Sequence, residues 1–150
     1  GFPTLWRIAT EYLFLRKLAP RSRAFNAFYG GGFAHDERRD VEVLMGAIWL
    51  VRRAAVDAVG PADEDFFLFS EETDWAYRFR RAGWTSLFCP DATATHVYGA
   101  SHGGRMFAEN VRGQLRFLEK HHGRRYARAA RPIFVLGLLL RRRFDVVRAL

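Results

Sequence analysis

Three carboxylates, Glu71, Glu72 and Asp74, follow Ser70 where the aromatic run Phe66-Phe67-Leu68-Phe69 gives way to helical spacing. Such a group can do two things. In the first turn of a helix, acids favour the positive end of the dipole by roughly 0.3–1 kcal/mol each, and Ser70 is a good N-cap. Asp74 and Arg78 stand at i and i+4, a spacing that pairs on a helix surface for a few tenths of a kcal/mol. The alternative is proton abstraction. At about 100° per residue, Trp75, Phe79 and Ala82 form the buried stripe, with Glu71 and Glu72 on its two flanks. A carboxylate beside an aromatic wall is partly desolvated, which raises its pKa toward the range of a general base. The helix dipole opposes that shift, and spacing alone leaves both readings open.

The elements that must position these acids follow from periodicity and breakers. Residues 3–18 predict an amphipathic helix with Leu5, Ile8, Tyr12 and Leu15 near one face, Pro3 at its start and Pro20 past its end. Residues 20–40 read as a flexible surface connection. Residues 41–51 read as a strand broken at Gly46-Ala47, where small side chains admit either a ligand or a neighbouring strand. Residues 53–59 form a short helix stopped by Gly60-Pro61, and residues 66–69 a short buried extended run. The helix that opens at Glu71 runs to about Ala82 and stops at Gly83. Strands are expected at 85–89 and 93–97, with a small-residue loop over 99–104. Phe107, Val111, Leu115 and Leu118 then recur at helical spacing, with Gly123 as the stop. This alternation predicts an α/β fold with a short mixed sheet, flanking helices and a helical C-terminal tail.

With 150 residues and 49% apolar content, the chain can bury the core of one domain, and 27% charge with 15% aromatics excludes a disordered tail. Cys89 stands alone, so no internal disulfide forms and a reducing compartment fits. The net charge of +8 is divided unevenly. Residues 57–74 hold seven acids and no Lys or Arg, whereas residues 105–150 hold twelve basic residues against three acids. The basic tail suits an anionic surface. A nucleic-acid-binding module, with Tyr126 or Phe144 stacking on bases, is the competing reading, and the acidic stretch would repel a phosphate backbone. Within the tail, the nine apolar residues 132–140 lie between Arg131 and Arg141-Arg142-Arg143. That run is too short for a membrane span, which needs about 20 residues. It fits a helix lying in the interface of an anionic membrane, the favoured reading, or a helix packed on the domain with its arginines outward.

Two stretches carry a resemblance. Leu44-Met45-Gly46-Ala47-Ile48-Trp49 and Asp63-Glu64-Asp65-Phe66-Phe67-Leu68-Phe69-Ser70-Glu71-Glu72-Thr73-Asp74-Trp75 resemble the bacterial family 2 glycosyltransferases, in particular their rhamnosyltransferase-like branch. The likeness continues through Arg78, Ala82-Gly83-Trp84, Pro90-Asp91-Ala92, His96, Gly99 and Ser101, and covers residues 41–104. It implies a GT-A fold, of which residues 1–104 would be the acceptor-side half, with 1–40 as helix and connecting loop, followed by a basic amphipathic helical region over 105–150.

By position, the resemblance makes Glu72 the base that deprotonates the acceptor hydroxyl. Glu71 would hydrogen-bond the acceptor sugar, Asp74 would orient the helix or bind acceptor with Trp75 beside it, and Gly46 and Ala47 would lie close to bound sugar. His96 is either a structural histidine or, as the resemblance implies, a phosphate contact or a ligand to the Mn²⁺ or Mg²⁺ that the family uses. His102, His121 and His122 read as surface residues. Asp63-Glu64-Asp65 spells the family's metal motif but stands at the wrong place, and these acids are expected to cap or bridge a loop. The nucleotide-binding half is expected before Gly1, so that this chain alone is inactive and binds no metal. The implied function is part of an inverting transferase that moves a sugar, rhamnose being the leading choice, from a nucleotide-sugar donor to a glycan or lipid-linked acceptor. That chemistry belongs to cell-surface polysaccharide synthesis, at the cytoplasmic face of the membrane and without nucleic acid. A non-catalytic remnant of such a transferase is the remaining alternative.

Overall fold

The computed structural model describes residues 1–95 and 106–148. In chain order these hold α1 (Leu5–Tyr12), β1 (Arg39–Val41), α2 (Arg53–Val59), α3 (Glu71–Arg81), β2 (Ser86–Phe88), α4 (Met106–His122), α5 (Arg124–Leu140) and α6 (Phe144–Val147), with 3₁₀ turns at Leu15–Lys17 and Ala27–Tyr29. The two strands pair antiparallel, Arg39 opposite Phe88 and Val41 opposite Ser86. The α/β class is therefore present, but the core does not sit on the sheet. It is helical. Gly123, with φ of 89°, turns α4 directly into α5. Val111, Phe117 and Leu118 of α4, Ala130, Phe134 and Leu138 of α5, and Ile8 of α1 are all fully buried between these helices. The region after residue 105 is thus central to the packing. Phe2 joins the amino-terminal segment to it, edge-on to Tyr77 at 5.0 Å and stacked with Phe117 at 6.3 Å.

Where local signals are strong, the expected elements form. Helix α2 covers 53–59, α3 ends before Gly83, β2 falls within 85–89, and α4 stops at Gly123. Four expectations change. The first helix ends at Tyr12, because Phe14 takes a left-handed φ of 61° and Arg141 donates to the carbonyls of Tyr12 and, at 2.9 Å, Glu11. The residue just past α5 thereby captures the last carbonyls of α1 and ends it. Residues 42–52 form no strand: β-branched residues favour strands only where a ladder exists, and β2 offers three residues, all used by β1. Residues 66–69 are not extended: Phe66 is buried, Phe67 is 84% exposed, and Phe69 turns left-handed. Of the strand expected over 93–97, Thr93 to Thr95 are not in a strand and the rest, with His96 and the loop 99–104, lies outside the described residues.

The tail differs as well. Residues 132–140 are the second half of the 17-residue α5, with Pro132 inside it. A proline there removes a hydrogen bond, and burial of the flanking face of the helix offsets the loss. The approach to α1 is close: a Cβ on Gly137 would stand 2.6 Å from that of Tyr12. Arg141 points inward, its guanidinium 4.0 Å from the centre of the Phe14 ring. Among the described residues, no helix is long and apolar enough to cross a membrane.

Candidate active site

The head of α3 is set by an elbow. Phe69 and Ser70 both have positive φ, 65° and 70°, two consecutive left-handed residues that are not glycine. Such conformations are costly and persist where packing enforces them. Here α4 does so, for a Cβ on Gly113 would lie 2.6 Å from the Phe69 carbonyl oxygen and 3.0 Å from Ser70 Oγ. Ser70 occupies the N-cap position, but its side chain caps nothing. An N-cap serine needs an extended backbone to reach back to the first turn, and the left-handed one turns its hydroxyl toward Gly113.

The three acids then separate. Asp74 is fully buried, so it is not the surface partner of Arg78 that the i,i+4 spacing predicts. It accepts hydrogen bonds from Arg78 Nε at 2.8 Å and from His121 Nε2 at 2.7 Å, and Lys120 Nζ lies 2.7 Å away. Burial by itself would raise its pKa, but the hydrogen bonds from His121, Lys120 and Arg78 pull it down to about 2. His121 is therefore not a surface residue: it is the link from α4 to α3. Arg78 also donates to the carbonyls of Val59 at 2.6 Å and Pro61 at 2.7 Å, tying the end of α2 to α3. Asp63 and Asp65 bridge a loop as expected, accepting from Lys120 and Arg116, each at 2.7 Å. The acidic stretch and the basic region thus neutralise one another across the α3–α4 face.

Glu71 and Glu72 go elsewhere. With Gly46 and Ala47 they line a cleft of about 810 Å³ that also reaches α4, the end of α1 and Arg141. Burial first, and then the charge of Glu71, raise the Glu72 pKa to about 6. Glu71 Oε2 and Glu72 Oε2 are buried with no hydrogen-bond partner among the described residues. Gly46 lies against Glu72: a Cβ there would meet Glu72 Cβ at 3.6 Å and Cδ at 3.8 Å, so a larger side chain would cover the carboxylate. Trp75 does not line the cleft. Its indole N–H donates to Gly60 O at 2.9 Å, and its ring stacks on Trp49 at 6.0 Å, which holds the Gly46 turn against α3. A larger hollow of about 1090 Å³ lies along α4 and α5. Its Arg116, Lys120 and Arg124 are all in ion pairs, and none of the unpartnered buried oxygens faces it.

Asn110 and Gln114 of α4 and Tyr12 also line the cleft, and the sequence reading passed over them. Their signal was present: 107, 110 and 114 share one helix face beside the apolar stripe, where a polar residue is conspicuous. For a metal, the described residues do not fit. They hold no group of three or more His, Cys, Asp or Glu arranged as ligands, and Asp63 and Asp65 are engaged by cations.

Comparison with known proteins gives the family. The family described as "Glycosyltransferase like family 2" matches residues 21–126. Two curated proteins of Mycobacterium tuberculosis, from strains CDC 1551 / Oshkosh and ATCC 25618 / H37Rv, are each 40% identical over 65 residues. Both are named N-acetylglucosaminyl-diphospho-decaprenol L-rhamnosyltransferase, and the matched stretch is 43% of this chain and 21% of theirs. No solved structure matches. With a profile that spans most of the chain and Glu71-Glu72 set at a cleft, the chain belongs to the bacterial family 2 glycosyltransferases and is rhamnosyltransferase-like.

Proposed function

We propose that this chain is the acceptor-side part of an inverting GT-A glycosyltransferase, with Glu72 as general base. The carrying observation is one carboxylate: buried at a cleft, with an unpartnered oxygen and a pKa raised to about 6. A neutral sugar hydroxyl is a weak nucleophile, and a base poised near neutrality removes its proton as attack proceeds. The acceptor oxygen bonds to the anomeric carbon of the donor, the bond from that carbon to the diphosphate oxygen breaks, the nucleoside diphosphate leaves, and the proton rests on Glu72. Glu71 holds a neighbouring hydroxyl. Asp74 positions the helix through Arg78, Lys120 and His121 and does not touch substrate. In this reading the donor nucleotide and its Mn²⁺ or Mg²⁺ are held by a part of the enzyme other than this cleft.

The names of the matched relatives support rhamnose as the sugar and an N-acetylglucosaminyl-diphospho-polyprenol as the acceptor, within cell-surface polysaccharide synthesis. The test is to incubate the full-length protein with nucleotide-diphospho-rhamnose and a short-chain analogue of that lipid. A disaccharide lipid of inverted anomeric configuration is the expected product, and the isolated 150-residue chain should yield none. Retained configuration, or hydrolysis of the donor alone, would overturn the assignment.

An anionic membrane surface at the cytoplasmic face is the proposed second partner. Leu136, Leu139 and Leu140 stand at i, i+3 and i+4 on α5 and are exposed, with Phe144 exposed beyond them. Since Arg141 serves α1, the apolar stripe carries this contact, assisted by basic residues nearby. The full-length protein should float with phosphatidylglycerol vesicles, less so at high salt, and Leu136→Asp with Leu139→Asp should abolish flotation. No flotation at any salt would leave the stripe a purely structural feature.

A further inference from the structure

The unpartnered buried oxygens of the cleft have something in common. Glu11 Oε2 is held by Arg16 Nε at 2.7 Å, which leaves Glu71 Oε2, Glu72 Oε2 and Gln114 Oε1, three hydrogen-bond acceptors whose residues line the same space. Acceptor oxygens left without a partner are complementary to a ligand that brings donor hydrogens, as a polyhydroxylated or acetamido sugar does. Two of the three are explained by the proposed reaction. Gln114 is not.

Its setting leaves the amide little freedom. The Nε2 group of Gln114 donates to Asn110 Oδ1 at 2.6 Å, one turn earlier on α4, and lies 3.4 Å from the Tyr12 hydroxyl. Burial raises the pKa of the Tyr12 phenol far above neutrality, so this neighbour stays an uncharged hydroxyl. With the nitrogen held on two sides, the oxygen is the end left over. Buried amide oxygens normally find a partner, and one that does not calls for an explanation. Gln114 also sits beside Val111, Leu115 and Leu118, which are buried in the core, so the residue is carried on the rigid part of α4 and not on a loop.

We propose that Gln114 is an acceptor-specificity residue, whose Oε1 receives a hydrogen bond from a hydroxyl or acetamido N–H of the acceptor sugar, at a position other than the hydroxyl that Glu72 deprotonates. The inference rests on the proposed transferase reading and adds a third point of attachment to it. One contact at the base and one at Glu71 leave the sugar ring free to pivot. The third sets which ring, and which of its faces, is presented for attack.

The experiment uses the full-length protein, nucleotide-diphospho-rhamnose and a series of short-chain N-acetylglucosaminyl-diphospho-lipids, each lacking one donor group: the acetamido group in one, the 6-hydroxyl in another. Gln114→Met should lower kcat/KM for the complete acceptor by about 10- to 100-fold, mainly through acceptor KM, with donor KM unchanged. One member of the series should show the same loss with the wild-type protein, and on that member Gln114→Met should add nothing. Gln114→Glu, which keeps an acceptor oxygen, should recover part of the loss, and Gln114→Leu, which also removes the oxygen, serves in place of Gln114→Met if that variant does not fold. Losses that simply add for every acceptor, or an unchanged kcat/KM, overturn the inference alone. No transfer by the wild-type protein to the complete acceptor overturns the transferase reading, and the inference with it.

Discussion

Glu72→Gln should lower turnover of the full-length protein by about 10²–10⁴, the usual span for loss of a general base. Glutamine keeps the shape against Gly46 and removes the proton acceptor, so donor and acceptor binding should change little. The wild-type rate should rise with pH through a limb near 6, where the Glu72 carboxyl ionises, and the variant should lose that limb. Stability should move the opposite way. A carboxyl whose pKa rises from 4.5 to about 6 on folding adds stability that is complete below 4.5 and lost as pH rises through 6. That interval corresponds to about 2 kcal/mol, so Glu72→Gln should be the more stable protein at pH 7.5 by up to that amount. Near-normal turnover in the variant would exclude Glu72 as the base. A tighter fold with lost activity is the signature of a charge buried for function.

The largest effect on stability is expected at Asp74. Replacing it by Ala leaves His121, Lys120 and Arg78 facing a buried gap, and breaking such a cluster from one side costs about 3 kcal/mol or more. Lys120 keeps Asp63 and Arg78 keeps two carbonyls, which places the loss at the lower end of that range. The acid limb gives an independent check. With its pKa lowered from 3.8 to about 2, Asp74 contributes stability that is present above 3.8 and disappears as pH falls through 2. Urea unfolding of the full-length protein at pH 7, and again between pH 4 and 2, measures both. The variant should be weaker at pH 7 and lack the Asp74 part of the acid loss. A difference below 1 kcal/mol at pH 7 would mean that the cluster does not hold α3 to α4.

Both results concern acids that stand two positions apart in the chain and face different surroundings. Their types, and the helix they open, are legible in the sequence because the signals are local. An aromatic run ends, acids fill a first turn, and Gly83 stops the helix. The same holds for α2 before Gly60-Pro61 and for α4 before Gly123. The opening of the helix at Glu71 came out right even though Ser70 does not cap it as a serine usually does. The resemblance to family 2 glycosyltransferases rests on the same stretch, and the match over residues 21–126 bears it out.

The remainder depended on contacts between distant parts of the chain. Asp74 read as a surface acid because i,i+4 spacing sees only Arg78, whereas His121 lies 47 residues away and arrives on another helix. Residues 3–18 carry a continuous helical pattern, and only an arginine 129 residues beyond Tyr12 ends the helix there. The β-branched residues of 41–51 favour a strand, but a strand needs a neighbour to pair with, and no pattern within the segment supplies one. Gln114 showed as a polar position beside an apolar stripe, without any sign of which cleft it would face. Composition, periodicity and breakers determined which helices form and which acids open α3. Only the packing of α1, α3, α4 and α5 decided that Glu72 faces the cleft while Asp74 is buried among cations, because burial and charge pairing are set by what lies across the interface and not by the residues on either side.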